Sequence, residues 1–123
     1  MQSPVDFVHN YYSVFSSLDL NAIARHFSEP CLSIGRGRVF VAMSRVEFVE
    51  AVSSFVGELR AKGYGHSEFA QAETVMLSDT AVLVRGVAVR YAQTGLEMER
   101  APISYLLHSN GEEWQIVVMV LSP

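Results

Sequence analysis

Only one cysteine, Cys31, and one lysine, Lys62, occur in the 123 residues. A lone thiol has no internal partner, so no disulfide framework is expected, and a reducing cytoplasm is the simplest compartment. The nine basic residues are scattered and outnumbered by thirteen acids, which leaves a formal charge of −4. Neutralising phosphates takes clustered cations, so DNA and RNA are not expected partners. No apolar run approaches the roughly 20 residues that span a bilayer, so no membrane partner is expected either. The opening "MQSPVDFVHNYY" has neither a basic n-region nor an apolar h-region, and no secretory leader is expected. A Gly-x-Ser-x-Gly elbow is missing. Cys31 follows Pro30 with no charged base beside it in sequence, which favours an inert, buried thiol. No tight His/Asp/Glu spacing supports a metal site, so neither metal nor cofactor is expected.

Half of the residues are apolar and 18% are charged, the balance of a globular chain with a real core. The length suits a single domain over residues 1–123. So high an apolar share in so small a chain also predicts that a second subunit covers some apolar surface.

Local signals predict the elements. Ser3-Pro4-Val5-Asp6 reads as a helix start, with serine as cap, proline in the first turn and an acid near the positive end. Phe7, Val8, Tyr11, Tyr12, Val14, Phe15 and Leu18 then recur at helical spacing. A short second helix is expected from Asp19 to Phe27, with Pro30 blocking its continuation. Ser44-Arg45-Val46-Glu47 is a capping box for a third, longer helix ending at Lys62-Gly63. Between the second and third helices lies Gly35-Arg36-Gly37-Arg38. Leu32 and Ile34 before it, and Val39 and Val41 after it, read as two short strands around a turn. The alternative is an anion site, but a phosphate loop needs a Gly-Lys-Ser/Thr ending or a helix after the glycines, and a strand follows here. Beyond residue 66 the turn signals Ser78-Asp79, Gln93-Thr94-Gly95 and Asn110-Gly111 divide four strands, near 66–77, 80–92, 96–109 and 112–121. The order is that of an α+β fold ending in an antiparallel meander.

This layout, with the phrases "LSDTAVLVRGVAVRY" and "GEEWQIVVMVLSP", resembles the nuclear transport factor 2-like superfamily, of which SnoaL-like polyketide cyclases are members. The resemblance implies a cystatin-like α+β cone. In it a curved, mostly antiparallel sheet of about six strands wraps around a long helix, with two N-terminal helices and an apolar pocket. It also implies a homodimer packed through the sheet. It leaves the activity open among isomerase, cyclase, dehydratase, epoxide hydrolase and none, because a fold does not name a reaction.

Pairing Ala92 with Leu96, Ser109 with Glu112 and Leu77 with Thr80 gives a register, and strand faces follow from the period of two. Leu83, Val87, Val89, Ala101, Ile103, Tyr105, Leu107, Trp114, Ile116, Val118 and Val120 then look toward the helices. Val82, Val84, Gly86, Ala88, Pro102, Ser104, Leu106, Val117 and Met119 form the other face, the expected dimer surface. His66, Glu68, Tyr91, Glu97 and Glu99 gather at one end of the helix-facing side, either as an acid–base group or simply in water. Arg85 is expected deep on that side, held by a helix carboxylate or by a ligand anion.

The expected function is binding of a small, apolar or weakly polar ligand, with Tyr12, His26, Arg85, Tyr91 and Tyr105 as lining candidates. The alternatives are a SnoaL-like enzyme using His26 or Glu99 as acid or base, and a non-catalytic dimeric interaction module.

Overall fold

The computed structural model describes residues 1–122. The first helix, α1, runs Pro4–Ser16. The Asp6 N–H donates to Ser3 Oγ at 3.1 Å, which satisfies one of the amides a helix start leaves open. Its inner side buries Phe7, Val8, Tyr11 and Tyr12. The next helix, α2, is Leu20–Ala24, capped by Asp19 through the Ala22 N–H. It is shorter than expected because Phe27 leaves it to pair with Ile116 and to lay its ring 4.5 Å from that of Phe48. Burial of that ring outweighs one more helical turn. The helix has thus ended before Pro30, which lies inside the first strand, where the pairing to its neighbour is interrupted between Phe27 and Leu32. A residue without an N–H is tolerated at such a gap.

The first two strands, β1 (Phe27–Gly35) and β2 (Arg38–Ala42), form a hairpin closed by the Gly35–Arg38 pair. Arg36 and Gly37 occupy the turn with φ of 53° and 76°. Positive φ at both central residues is the turn that matches the twist of paired strands. The third helix, α3, spans Arg45–Ala61. Ser44 Oγ accepts from the Glu47 N–H at 3.2 Å, while the Glu47 carboxylate accepts from the N–H of Met43, one residue earlier than the usual box.

The meander follows as β3 (Tyr64–Met76), β4 (Ala81–Ala92), β5 (Glu97–Ser109) and β6 (Trp114–Leu121). One curved, open, six-stranded sheet results, in the order β2-β1-β6-β5-β4-β3. All neighbours are antiparallel except β1 and β6. The fold is therefore the expected α+β arrangement of sheet and three helices.

The register corrects the expected faces. Ala92 does bond to Leu96, and Tyr91 does face Glu97. A bulge at Met98 then adds one residue to β5, so Arg90 faces Glu99 and Val84 faces Tyr105. One extra residue exchanges the two faces of everything beyond it. Val82 and Val84 are consequently sealed in the core with Tyr105, Leu107 and Ile116, and Ala88 packs against the same cluster. Arg85 turns outward instead, where it is exposed and meets Glu73 at 3.1 Å. A second bulge, between Ile116 and Val118, sends Met119 and Leu121 inward and pairs Val118 with Leu106 and Val120 with Ser104 on the outer side. In β3 an irregularity between Ala70 and Glu73, with Gln71 at φ 57°, offsets a one-residue difference at the turn. Glu68 therefore still lies beside Val89, and His66 beside Tyr91, as expected. The face expected to be free for a second subunit thus keeps Pro102, Ser104 and Leu106, but loses Val82, Val84, Gly86, Ala88 and Met119 to the interior.

Candidate functional site

Between α1, α3 and the inner face of the sheet lies a cavity of about 350 Å³. Its wall combines the helix aromatics Tyr11, Tyr12, Phe15 and Phe55 on one side with the sheet residues Ile103 and Tyr105, and with Ala88, Met119 and Leu121 that the bulges turned inward, on the other. Small Ala88 and large Phe55 leave space where two large side chains would close it.

Deep in the wall the Tyr12 and Tyr105 hydroxyls share a hydrogen bond of 2.7 Å. A chain position in α1 and one in β5 are thereby joined across the core. One of the two protons makes this bond; the other hydroxyl keeps a donor that the pair does not use. Burial, first among the causes, pushes both phenols, and that of Tyr11, well above the ordinary tyrosine range. A raised folded-state pKa means that the folded chain holds these protons more tightly than the unfolded chain. Their contribution to stability is complete below the unfolded value, roughly 10, and declines as pH rises beyond it. Unfolding by urea should therefore become easier above about pH 10. A Tyr12→Phe variant should lose less stability than the parent over that range. Equal slopes in the two proteins would exclude the pair as the cause.

The charged groups of the cavity sit at its mouth, and they are Arg36, Arg38, Arg90 and Glu99. Glu99 accepts from Arg36 Nη2 through Oε1 at 2.9 Å, and from Arg90 through Oε2. Arg90 also lies over the Phe55 ring, 4.9 Å from its centroid. Cys31 lines the wall as a buried thiol, and its pKa is raised chiefly by desolvation.

The remaining candidates fall elsewhere. His26 is behind the aromatic layer, its rings neighbours being Phe7 and Tyr11, and its Nδ1 bonds the Ala22 carbonyl at 2.9 Å. It borders a separate polar recess near Trp114 and Arg25, outside the main cavity. Tyr91 is on the outer face, stacked on His66 at 4.8 Å, with His66 bonded to Glu68. Glu97 is exposed and pairs with Arg100, whose guanidinium holds the Glu97 carboxyl below its usual range. Of the five groups expected at that end of the sheet, only Glu99 is turned to the cavity, by the Met98 bulge. Tyr12 and Tyr105 line the cavity; Arg85 does not, and Arg90 takes the inward place. Nothing local in the sequence separates Arg90 from Arg85; the bulge at Met98 decides between them. Among the described residues no group of three or more His, Cys, Asp and Glu is arranged to hold a metal ion.

Comparison with solved structures shows the same fold repeatedly. An NTF2-like protein with a cystatin-like fold from Novosphingobium aromaticivorans aligns with a TM-score of 0.76 at 14% identity, over 94% of this chain and 76% of that one. An NTF-2 like protein from Shewanella oneidensis aligns at 0.72 and 18% identity, over 98% and 100% of the two chains. A ketosteroid isomerase-like protein from Erwinia carotovora atroseptica aligns at 0.66 and 21%, over 97% and 94%. At such identities the likeness is one of fold alone. No curated protein matches. Residues 4–123 match the family described as NTF2-like protein (DUF6841), which spans nearly all of the sequence. By that match and by its sheet-and-helix architecture, the chain belongs to this NTF2-like family.

Proposed function

We propose that this protein binds a small, largely apolar molecule inside the cavity. The observation that carries the reading is an apolar space of about 350 Å³ whose deep wall holds the Tyr12–Tyr105 hydroxyl pair. Ligand sites combine an apolar body with few placed polar groups, and a hydroxyl with a spare proton suits a ligand oxygen. The acid–base alternative has less support. His26 faces another recess, and Glu99 is engaged by two arginines. The ketosteroid isomerase-like protein shares the fold at 21% identity, a likeness too distant to assign a catalytic residue here.

We further propose a homodimer through the outer face of the sheet. There Ile34, Val39 and Val41 are exposed on β1 and β2, continuous with Val118 and Val120 on β6. Contiguous exposed apolar residues of this kind favour a partner surface. The buried single thiol fits a cytoplasmic setting.

Native mass spectrometry of protein purified without added ligand, read before and after denaturation, tests both statements. A dimer carrying a releasable small mass is expected. An Ala88→Phe variant, which fills the space beside Ala101 and Arg90, should keep the dimer and lose the extra mass. The same mass retained in that variant would place the ligand elsewhere, and a clean monomer would remove the dimer proposal.

A further inference from the structure

The Gly-Arg-Gly-Arg hairpin, read from sequence as a turn, has a second consequence in three dimensions. It brings Arg36 and Arg38 to the cavity mouth, opposite Arg90 on β4. The charged residues lining the cavity are thus three arginines and one glutamate, in a chain whose formal charge is −4. The positive rim runs against the average of the molecule.

Glu99 shows what this rim accepts. Its two carboxylate oxygens are each taken by a different arginine, Arg36 from the hairpin and Arg90 from the sheet. The guanidinium groups are therefore spaced for a planar acceptor with two oxygens. Each guanidinium presents several N–H donors, and Glu99 uses few of them. Arg38 has no hydrogen-bond or ion-pair partner among the described residues. The inner of the three, Arg90, has only 20% of its side chain exposed, whereas Arg36 is 75% exposed and free to adjust. Beneath the rim the wall is apolar, so charge and apolar surface are segregated along one axis.

We propose that the cavity's ligand is an apolar carboxylate: its hydrocarbon or aromatic body lies within, and its carboxylate meets Arg36, Arg38 and Arg90 at the mouth beside Glu99. The inference rests on the cavity being a ligand site and names the chemistry of what enters it. A neutral molecule would gain no charge-assisted bond from these arginines, and a cation would meet like charge. Charged partners strengthen such hydrogen bonds, and the partial burial of Arg90 limits their screening.

Three probes that share one apolar body separate the possibilities: phenylbutyrate, phenylbutanol and phenylbutylamine, each titrated calorimetrically into the full chain. Phenylbutyrate should bind about tenfold or more tightly than phenylbutanol, and phenylbutylamine most weakly, since a charge-assisted bond outweighs a neutral one. Raising the salt should weaken the acid and leave the alcohol unchanged. In Arg38→Gln, and more fully in the Arg36→Gln/Arg38→Gln variant, the preference for the acid should disappear while phenylbutanol binds as before. Both residues are exposed, so these variants keep the fold. Equal binding of alcohol and acid in the parent, blocked by Ala88→Phe, would overturn the carboxylate and leave the cavity reading standing. An acid preference that survives the double variant would overturn the assigned arginines. Binding of none of the three would overturn the carboxylate together with the cavity reading.

Discussion

Replacing Tyr105 by alanine is expected to cost about 3–5 kcal/mol of folding stability, the range for removing a large buried ring. A chain of this size has roughly 5–15 kcal/mol in all, so the variant should lose about a fifth or more of its resistance to urea. Tyr105 is 2% exposed and faces the rings of Tyr11, Tyr12 and Phe69 at centroid distances of 5.9, 6.2 and 6.0 Å. Its loss would leave a void lined by aromatic groups that α1 and the sheet hold apart. Tyr105→Phe keeps the ring and should cost only about 1–2 kcal/mol, from the broken hydroxyl pair. Adding Tyr12→Phe to Tyr105→Phe should cost little more, because the second hydroxyl then has no lost partner to miss. Urea midpoints at constant slope would measure all three. If Tyr105→Phe matched Tyr105→Ala, the hydroxyl rather than the packing would dominate. If the two phenylalanine changes were fully additive, the pair would not be a functional unit of the core.

The second large effect is expected at Gly86. A Cβ there would lie 2.5 Å from Cζ of Phe69 and 2.7 Å from the carbonyl oxygen of Ala70. The ring can rotate away, but the carbonyl belongs to the β3–β4 ladder and cannot yield without breaking pairing. Overpacking a core costs about 1–3 kcal/mol, and Gly86→Val should reach or exceed the upper end because both obstacles act together. The change should also reach the cavity. Phe69 packs 5.2 Å from Tyr12, so a displaced ring disturbs the hydroxyl pair. Gly86→Ala combined with Phe69→Leu should recover part of the stability but not all of it, since the Ala70 carbonyl remains. Full recovery would show that the ring alone excludes a side chain, and a tolerated Gly86→Val would show that β3 moves freely against β4. Thermal melts followed by circular dichroism decide between them.

These two positions show where local pattern stops being informative. The caps Ser3 and Ser44, the Arg36-Gly37 turn, the Ala92–Leu96 closure and the four long strands follow from short-range preferences, and each appears in the structure. The faces of β4 do not. In Val82-Leu83-Val84-Arg85-Gly86-Val87-Ala88-Val89-Arg90 both alternating sets are apolar and both contain an arginine. A period of two then offers no preference between Arg85 and Arg90. The Met98 bulge makes the choice, and a bulge forms because cross-strand packing, not the local chain, rewards it.

The candidate site was legible to the same degree. Tyr12 and Tyr105 stand among apolar neighbours at periodic positions, and they do line the cavity. His26 and Tyr91 carry equally suggestive side chains, but helix length and strand parity place them elsewhere. Arg36 and Arg38 were visible as a turn, and nothing within a few residues of them revealed that β1 would lie parallel to β6 and carry the hairpin to the mouth. What the sequence by itself determined was the element order, the helix starts, the turns and membership of the α+β class, because those depend on backbone and side-chain preferences within a turn or two. Only the tertiary structure decided which strand faces meet the helices and which arginines ring the cavity, because those follow from pairings between residues far apart in the chain.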